Sequence, residues 1–528
     1  MDEHTSAGPR KRLRHRIPTS LRQHWKIAVA LVAFVALVGS VFGTSRIRPY
    51  ITGDPTVIAS EITENIAGTV DLFDASLDHE VSIDISDVEY NDMIDAYVDD
   101  GEKEWVSADV TIDGTLITDV GVRLKGNSTL SALRGGMGGG PGGGGPRGGF
   151  ELPEDFELPE GVVLPEGFDP AEMFAEGGGM PGMGGTSISV DDPTSLPLLL
   201  DFSENVDGRA YQGMTQLSVR PGSPVLNEAM ALSLTDATDQ PTQRYAYTVY
   251  SVNDSATATR LLLEHPDESY ANSLFDSDGY LYKADASSSF TYVGDDQADY
   301  TDQFTQLNAE GTGDVQPIIS FLKWMDSASD EEFDEHLADR VDVDSFARYV
   351  ATQNLLVNGD DMSGPGQNYY LWYDLDTNKI SVVSWDLNMA MQGGTTAGPN
   401  DTVSMGGGMG GPGGMRGQGG PPDAAAPGMA PPEGMLTPPN SEGGGGRAMG
   451  GNTLKTRFLD SDAFTDVYEA AYWDMYEQMY GSGQALSILD GLASSVPTSD
   501  GLTAESLQSS VDSMRTWIQQ RTDALATI

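Results

Sequence analysis

Two tracts dense in Gly, Pro and Met limit what this chain can fold into more than any other feature. Residues 134–186 carry GGMGGGPGGGGPRGGF, the acidic repeats ELPEDFELPEGVVLPEGF and then GGGMPGMGG; a second such tract runs over 393–451. Sequence of this kind buries too little apolar surface to offset the entropy of ordering it. Both tracts therefore read as disordered insertions within one domain, and the patterned sequence around them must build a single core. Their methionines, Met405, Met409 and Met415 among them, are thioethers of the kind that bind Cu(I). Their spacing is irregular and no histidine accompanies them, so a copper site is set aside.

The N-terminus has its own logic. Residues 1–26 form a basic tail with RKRLRHR at 10–16, and residues 27–45 (IAVALVAFVALVGSVFGTS) are free of charge. At about 1.5 Å per residue such a run nearly spans a hydrocarbon core. A positive flank ahead of it keeps the N-terminus cytoplasmic and exports the remainder of the chain. The expectation is a transmembrane signal anchor; the rival is a cleaved signal peptide, with small residues near 39–43 at the cleavage site and a secreted product.

From residue 80 the pattern is β-rich. HEVSIDIS alternates as a half-buried strand, DVEYNDMIDAYV has helical spacing, and WVSADVTIDGTLITDVGVRLKGNST reads as strand, Asp-Gly turn, strand and polar Gly loop. LNEAMALSLTDAT is helical, and RYAYTVYSVNDSATATRLLLEH is a hairpin turning at Asn253-Asp254. Helices come next at PIISFLKWM, DEEFDEHLADRV and VDSFARYVATQNLLV, the last with Val343, Phe346, Ala347, Val350 and Asn354 on one face.

That last helix runs into NGDDMSGPGQNYYLWYDLDTNKISVVSWDLNMA, residues 358–390. NYYLWY and ISVVSW flank an Asp/Asn-rich turn, which predicts a β-hairpin. A hairpin folds its ends together, so Asp360, Asp361 and Asn368 before the first strand meet Asp386 after the second. Carboxylates and an amide oxygen converging at strand ends suit a hard divalent cation; a cluster of solvated turn residues is the plainer alternative. DLDTNK is not a calcium loop, because its sixth position is Lys379 and its twelfth Trp385.

Composition removes several chemistries. With 80 acidic against 29 basic side chains and a net charge of −51, binding to a nucleic-acid backbone is disfavoured. The chain has no cysteine, and its six histidines are scattered, which removes thiolate catalysis, zinc–sulfur sites and a histidine metal cluster. Carboxylates and hydroxyls are left to carry any chemistry.

NYYLWYDLDTNK…WDLN, together with GVRLKGNST and SDGYLYKAD, resembles the CotH kinase family, the atypical kinase-like proteins named for a spore coat protein. The resemblance covers roughly residues 80–133, 195–392 and 452–528, in family order, and ends in a helical tail that includes Arg521. It implies an α+β, atypical protein-kinase-like fold over 80–528, with an antiparallel β-rich N-terminal part and a helical C-terminal part. It also implies ATP and Mg²⁺ (or Mn²⁺) as cofactors. Asp361 would take the proton of a Ser/Thr hydroxyl, with Asp360 its rival, and Asn368 and Asp386 would hold the metal. Gly126, Asn127 and Ser128 would cap the phosphates, with Arg123, Lys125 or Lys283 supplying positive charge. Glu228 would pair a phosphate-binding lysine, and Glu264 would lie near the base.

Two departures stand out. The family's lysine is absent from Ser195-Leu196-Pro197-Leu198-Leu199-Leu200, and the seven-residue step from Asp361 to Asn368 exceeds the usual kinase spacing. Together with the expected anchor, the resemblance points to an exported, membrane-anchored kinase for a surface or envelope protein. The alternatives are an inactive kinase-shaped scaffold that binds a cell-surface partner, and a calcium-stabilised surface protein.

Overall fold

Strand alternation fills one barrel and also faces a second core. The computed structural model describes residues 62–126, 129–134, 188–309, 314–403 and 452–528. The basic tail, the expected anchor, Asn127, Ser128 and most of both insertions lie outside the described residues. Among the described residues no helix is long and apolar enough to cross a membrane.

The N-terminal part holds β1 (Glu64–Ile66), β2 (His79–Asp84), α1 (Asp87–Asp99), β3 (Val106–Ile112), β4 (Thr115–Leu124) and β5 (Leu198–Asp201). It continues with β6 (Arg209–Tyr211), β7 (Gln216–Val219), α2 (Leu226–Ala237), β8 (Tyr245–Val252) and β9 (Ala258–Glu264). Strands β2-β3-β4-β5-β7-β9-β8 close into a barrel, antiparallel except where β2 meets β8 in parallel. Tight turns set the register: Asp113-Gly114 and Asn253-Asp254 all have positive φ, as two-residue hairpin turns of this hand require.

Successive side chains on a strand point to opposite faces. Val122, Leu124, Leu200, Leu217, Val219 and Leu262 fill the barrel. Their neighbours Leu261 and Leu263, with Tyr247, join the core of the C-terminal part together with α2. One face of the barrel therefore sits on the rest of the molecule.

The C-terminal part contains α3 (Tyr270–Leu274), β10 (Gly279–Ala284), β11 (Phe304–Gln306), α4 (Gln316–Ser327), α5 (Asp330–His336), α6 (Val343–Leu355), β12 (Tyr369–Asp374) and β13 (Ile380–Ser384). It ends with α7 (Thr453–Asp460), α8 (Thr465–Tyr476), α9 (Gln484–Ser495) and α10 (Ala504–Leu525). Strands β11-β10-β12-β13 make an antiparallel sheet. The expected hairpin is β12–β13, and the fold is α+β as the sequence implied.

Two expectations need correction. Helix α6 is buried on more than one face: Tyr349, Thr352, Gln353 and Leu355 are buried as well as Phe346, Ala347 and Val350. Its polar residues are accommodated by specific bonds, Gln353 Nε2 to Ser384 Oγ at 2.8 Å and Asn354 Nδ2 to the carbonyls of Gly398 and Asp401 at 3.1 and 3.0 Å. The second insertion also does not begin at 393. Residues 393–403 pack on the helical tail, where Tyr468 donates to the Pro399 carbonyl at 2.8 Å and Arg521 to that of Thr395 at 3.0 Å.

Candidate active site

The barrel face turned to the C-terminal part carries cations. On β4 and just past its end, Arg123 and Lys125 alternate with the inward Val122 and Leu124, and on β7 Ser218 alternates with Leu217 and Val219, with Arg220 just past the strand end. Lys125 Nζ donates to Ser218 Oγ at 2.7 Å and lies 5.2 Å from the centroid of the Trp385 ring. Lys283, paired with Tyr370 across β10 and β12, brings its Nζ to 5.8 Å from the same ring. Arg123 stacks over Trp105 at 4.6 Å, and its buried Nε has no hydrogen-bond partner among the described residues. Among the described residues none of Arg123, Lys125 and Lys283 is ion-paired.

Crowding and burial tune these groups. Burial pulls the Lys125 ammonium down to about 7, with Arg220 adding to the effect and Asp386 and Glu228 opposing it. Burial also lowers Lys283 and Arg123. His265 packs edge-on against Trp385 at 5.6 Å with Nδ1 3.2 Å from Ser218 Oγ. Burial, then Lys125, holds it well below the usual histidine range, so it stays neutral.

The acids meet this face from below. Asp386, just past β13, has a left-handed backbone (φ 50°, ψ 62°), a conformation that Asp tolerates better than most residues. Its Oδ1 accepts from Arg220 Nη2, which also donates to Glu228 Oε1. Burial would lower the Arg220 pKa, but Asp386 and Glu228 raise it further than burial lowers it. Burial pushes the Glu228 carboxyl up against the pull of Arg220.

The loop between α6 and β12 is clipped by one carboxylate. Asp360 Oδ1 accepts from the Gly366 amide at 2.7 Å, and Asn368 Nδ2 donates to Asp360 O and Oδ2 at 2.9 and 3.0 Å. A Cβ on Gly366 would lie 2.6 Å from Asp360 Oδ2, so the loop needs glycine there. Burial raises the Asp360 pKa, and repulsion from Asp386 adds to it. Asp361 is only 3% exposed; its Oδ1 accepts from the Ser363 amide at 2.8 Å and its Oδ2 pairs with Lys455 of α7.

A family model described as CotH kinase protein matches residues 221–525, more than half of the chain. The chain belongs to the CotH kinase family. No curated protein matches it. The matched region holds Glu228, Glu264, Lys283, Asp360, Asp361, Asn368, Asp386 and Lys455, whereas Arg123, Lys125 and Arg220 precede it.

CotH membership implies ATP and a divalent cation, and the residues present fit both. Unpaired lysines suit phosphate oxygens. Asp386 and the Asn368 Oδ1 left over by the amide clip offer hard oxygen donors, and the repulsion between Asp386 and Asp360 is what a cation would relieve. Among the described residues no cluster of three His, Cys, Asp or Glu side chains is disposed for a metal. One carboxylate and an amide suit an ion that completes its shell with water and phosphate, as Mg²⁺ does.

Not every residue singled out in the sequence converges here. Glu264 is committed to Arg244, whose Nη2 and Nε reach Oε1 and Oε2 at 2.8 and 3.1 Å and whose amide reaches Oε2 at 3.2 Å. It braces the end of β9 against the start of β8. Gly126 has φ 103° and open space at its Cβ position, as a loop that approaches a ligand by its backbone needs. Two residues were missed. Arg220 was legible in principle, since alternation through QLSVR puts it on the Ser218 face. Lys455 had no local signal.

Proposed function

We propose that this CotH protein is an atypical, kinase-like phosphotransferase that moves the γ-phosphoryl group of ATP to a Ser or Thr hydroxyl of an exported or surface protein. The observation that carries this is the convergence of Lys125, Arg220 and Lys283 on Asp386, Asp360 and Asn368 in a chain of net charge −51. Five of these residues come from separate strands or strand ends, and such a concentration of cations opposite oxygen donors has no evident use in holding the barrel together. Barrel and helical body, meeting at this face, support a kinase-like architecture.

In this reading Lys125 and Lys283 bind phosphate oxygens, and Arg220, oriented by Glu228, takes the place of the lysine absent from 195–200. A bound divalent ion would neutralise phosphate charge at Asp386 and Asn368. Asp360 is half-buried and lies close enough to Asp386 to feel its charge, which supports it as the group that accepts the hydroxyl proton as the oxygen–phosphorus bond forms and the bond to ADP breaks. Asp361, sequestered by Lys455 and the Ser363 amide, is placed to position the loop. The charge-free run at 27–45 behind a basic tail supports anchoring with the domain outside the cell.

The test is ATP-dependent thermal stabilisation and transfer of labelled phosphate by the purified chain with Mg²⁺ or Mn²⁺, beside Asp386→Asn, Lys125→Met and Asp360→Asn. Transfer lost in all three, with Asp361→Asn retaining part of it, is expected. A protein indifferent to ATP would be a kinase-shaped scaffold.

A further inference from the structure

Arg220 has two acceptors and an unused third. Its Nη2 is shared between Glu228 Oε1 and Asp386 Oδ1, and its Nε also donates to Glu228 Oε1 at 3.1 Å. Glu228 is 1% exposed, yet its Oε2 has no hydrogen-bond partner among the described residues. An unsatisfied buried carboxylate oxygen beside a guanidinium is costly, and a two-pronged Arg–carboxylate pair would satisfy it. In place of that pair, Nη2 is shared with Asp386 Oδ1.

We propose that Arg220 is a positioning residue with two resting places, and that its bridge to Asp386 holds that carboxylate against a divalent cation until nucleotide arrives. The proposal rests on the reading of Asp386 as a metal ligand. Arg220 occupies Asp386 Oδ1 in the ligand-free chain. When that oxygen is claimed by a divalent cation, the guanidinium turns fully onto Glu228, satisfies Oε2 and presents its outer edge to phosphate beside Lys125. Cation and guanidinium therefore compete at Asp386, while nucleotide draws the guanidinium away and favours the cation. The chain would bind metal poorly alone and well with nucleotide, an antagonism set by one side chain. On a surface of net charge −51 this keeps Asp386 neutralised when ATP is absent.

The experiment is Mn²⁺ binding without nucleotide, read on the full chain as loss of the free-ion electron paramagnetic resonance signal. The Asp386→Asn-sensitive part is taken as the site, because an acidic surface binds Mn²⁺ elsewhere. Arg220→Gln alone would leave Glu228 buried and unpaired, so the informative variant is Arg220→Gln with Glu228→Gln. It should bind the site's Mn²⁺ about tenfold more tightly than the unaltered chain, within the usual range of coupling between sites. Glu228→Gln alone should weaken Mn²⁺ binding, because Arg220 then leans on Asp386. Equal affinities in the unaltered chain and the double variant, both sensitive to Asp386→Asn, would overturn the competition and leave the metal site standing. Binding insensitive to Asp386→Asn in every variant would remove the metal site itself.

Discussion

Replacing Arg521 with methionine tests whether the candidate site is held from behind. Arg521 lies on α10 with no exposed surface and has no carboxylate partner among the described residues. Its guanidinium makes five hydrogen bonds: Nε to Leu355 O at 3.2 Å, Nη2 to Asn354 O and Oδ1 at 3.0 and 3.3 Å, and Nη1 to Thr395 O at 3.0 Å and to Ala397 O. It thus neutralises the negative end of α6, whose last carbonyls lack helical partners, and ties that end to the segment after the β12–β13 hairpin. Both elements lead to the site, α6 into Asp360 and the hairpin into Asp386. Methionine keeps most of the bulk and removes every donor. Leu355 O would keep the Tyr480 hydroxyl at 3.1 Å and Asn354 O the Val357 amide at 2.9 Å, whereas the half-buried carbonyls of Thr395 and Ala397 would be left to water. Lost bonds to a charged donor, offset by relief of its desolvation, give an expected destabilisation of about 2–4 kcal/mol. That is a large share of the roughly 5–15 kcal/mol that holds a typical domain together. Urea unfolding followed by tryptophan fluorescence should show a lower midpoint, and amide exchange should speed up at the end of α6 before elsewhere. Arg521→Lys should recover less than half, because one ammonium cannot span both segments. A loss within about 0.5 kcal/mol, the range of an ordinary surface change, would refute the clamp.

The same geometry sets three further outcomes. Because burial pulls the Lys125 ammonium down to about 7 from 10.5, positive charge at the site is lost as pH rises through that value; sulfate affinity measured by calorimetry should fall between pH 6 and 8 and flatten in Lys125→Arg, and a pH-independent affinity in the unaltered chain would contradict this. The stability sign is opposite: an unfolded lysine holds its proton up to 10.5, so the cost of charging Lys125 in the fold is present below about 7 and is relieved as pH climbs from there to 10.5. Lys455→Met should cost about 3–5 kcal/mol by leaving Asp361 buried without its cation, and adding Asp361→Asn should restore most of that; additive losses in a double-mutant cycle would count against the pair. Gly366→Ala puts a Cβ 2.6 Å from Asp360 Oδ2 and 2.7 Å from Asn368 Nδ2, so it should open the Asp360–Asn368 clip and weaken Mn²⁺-dependent nucleotide binding while α6 keeps its amide-exchange protection; unchanged binding would show the clip to be dispensable.

Features with local causes were legible in the sequence alone. Alternation in HEVSIDIS and the strand–turn–strand pattern of WVSADVTIDGTLITDVGVRL mark strands, Asp113-Gly114 and Asn253-Asp254 mark turns, and the residues around 358–390 announce the hairpin that gathers Asp360, Asn368 and Asp386. These arise from backbone periodicity and turn chemistry within a few residues. Which charges meet was settled only by the fold. Arg220 bonds to Asp386 across 166 residues and Lys455 reaches Asp361 across 94, with the second insertion lying between them. Glu264 looked available in the sequence, yet it is engaged by Arg244, twenty residues before it at the start of the neighbouring strand. Residues 393–403, Gly- and Pro-bearing like the tract they open, are ordered by carbonyls that find Asn354, Tyr468 and Arg521. An ion pair depends on distance and burial, and neither is written in the spacing of two residues along a chain; both are set by how the barrel and the helical body come together.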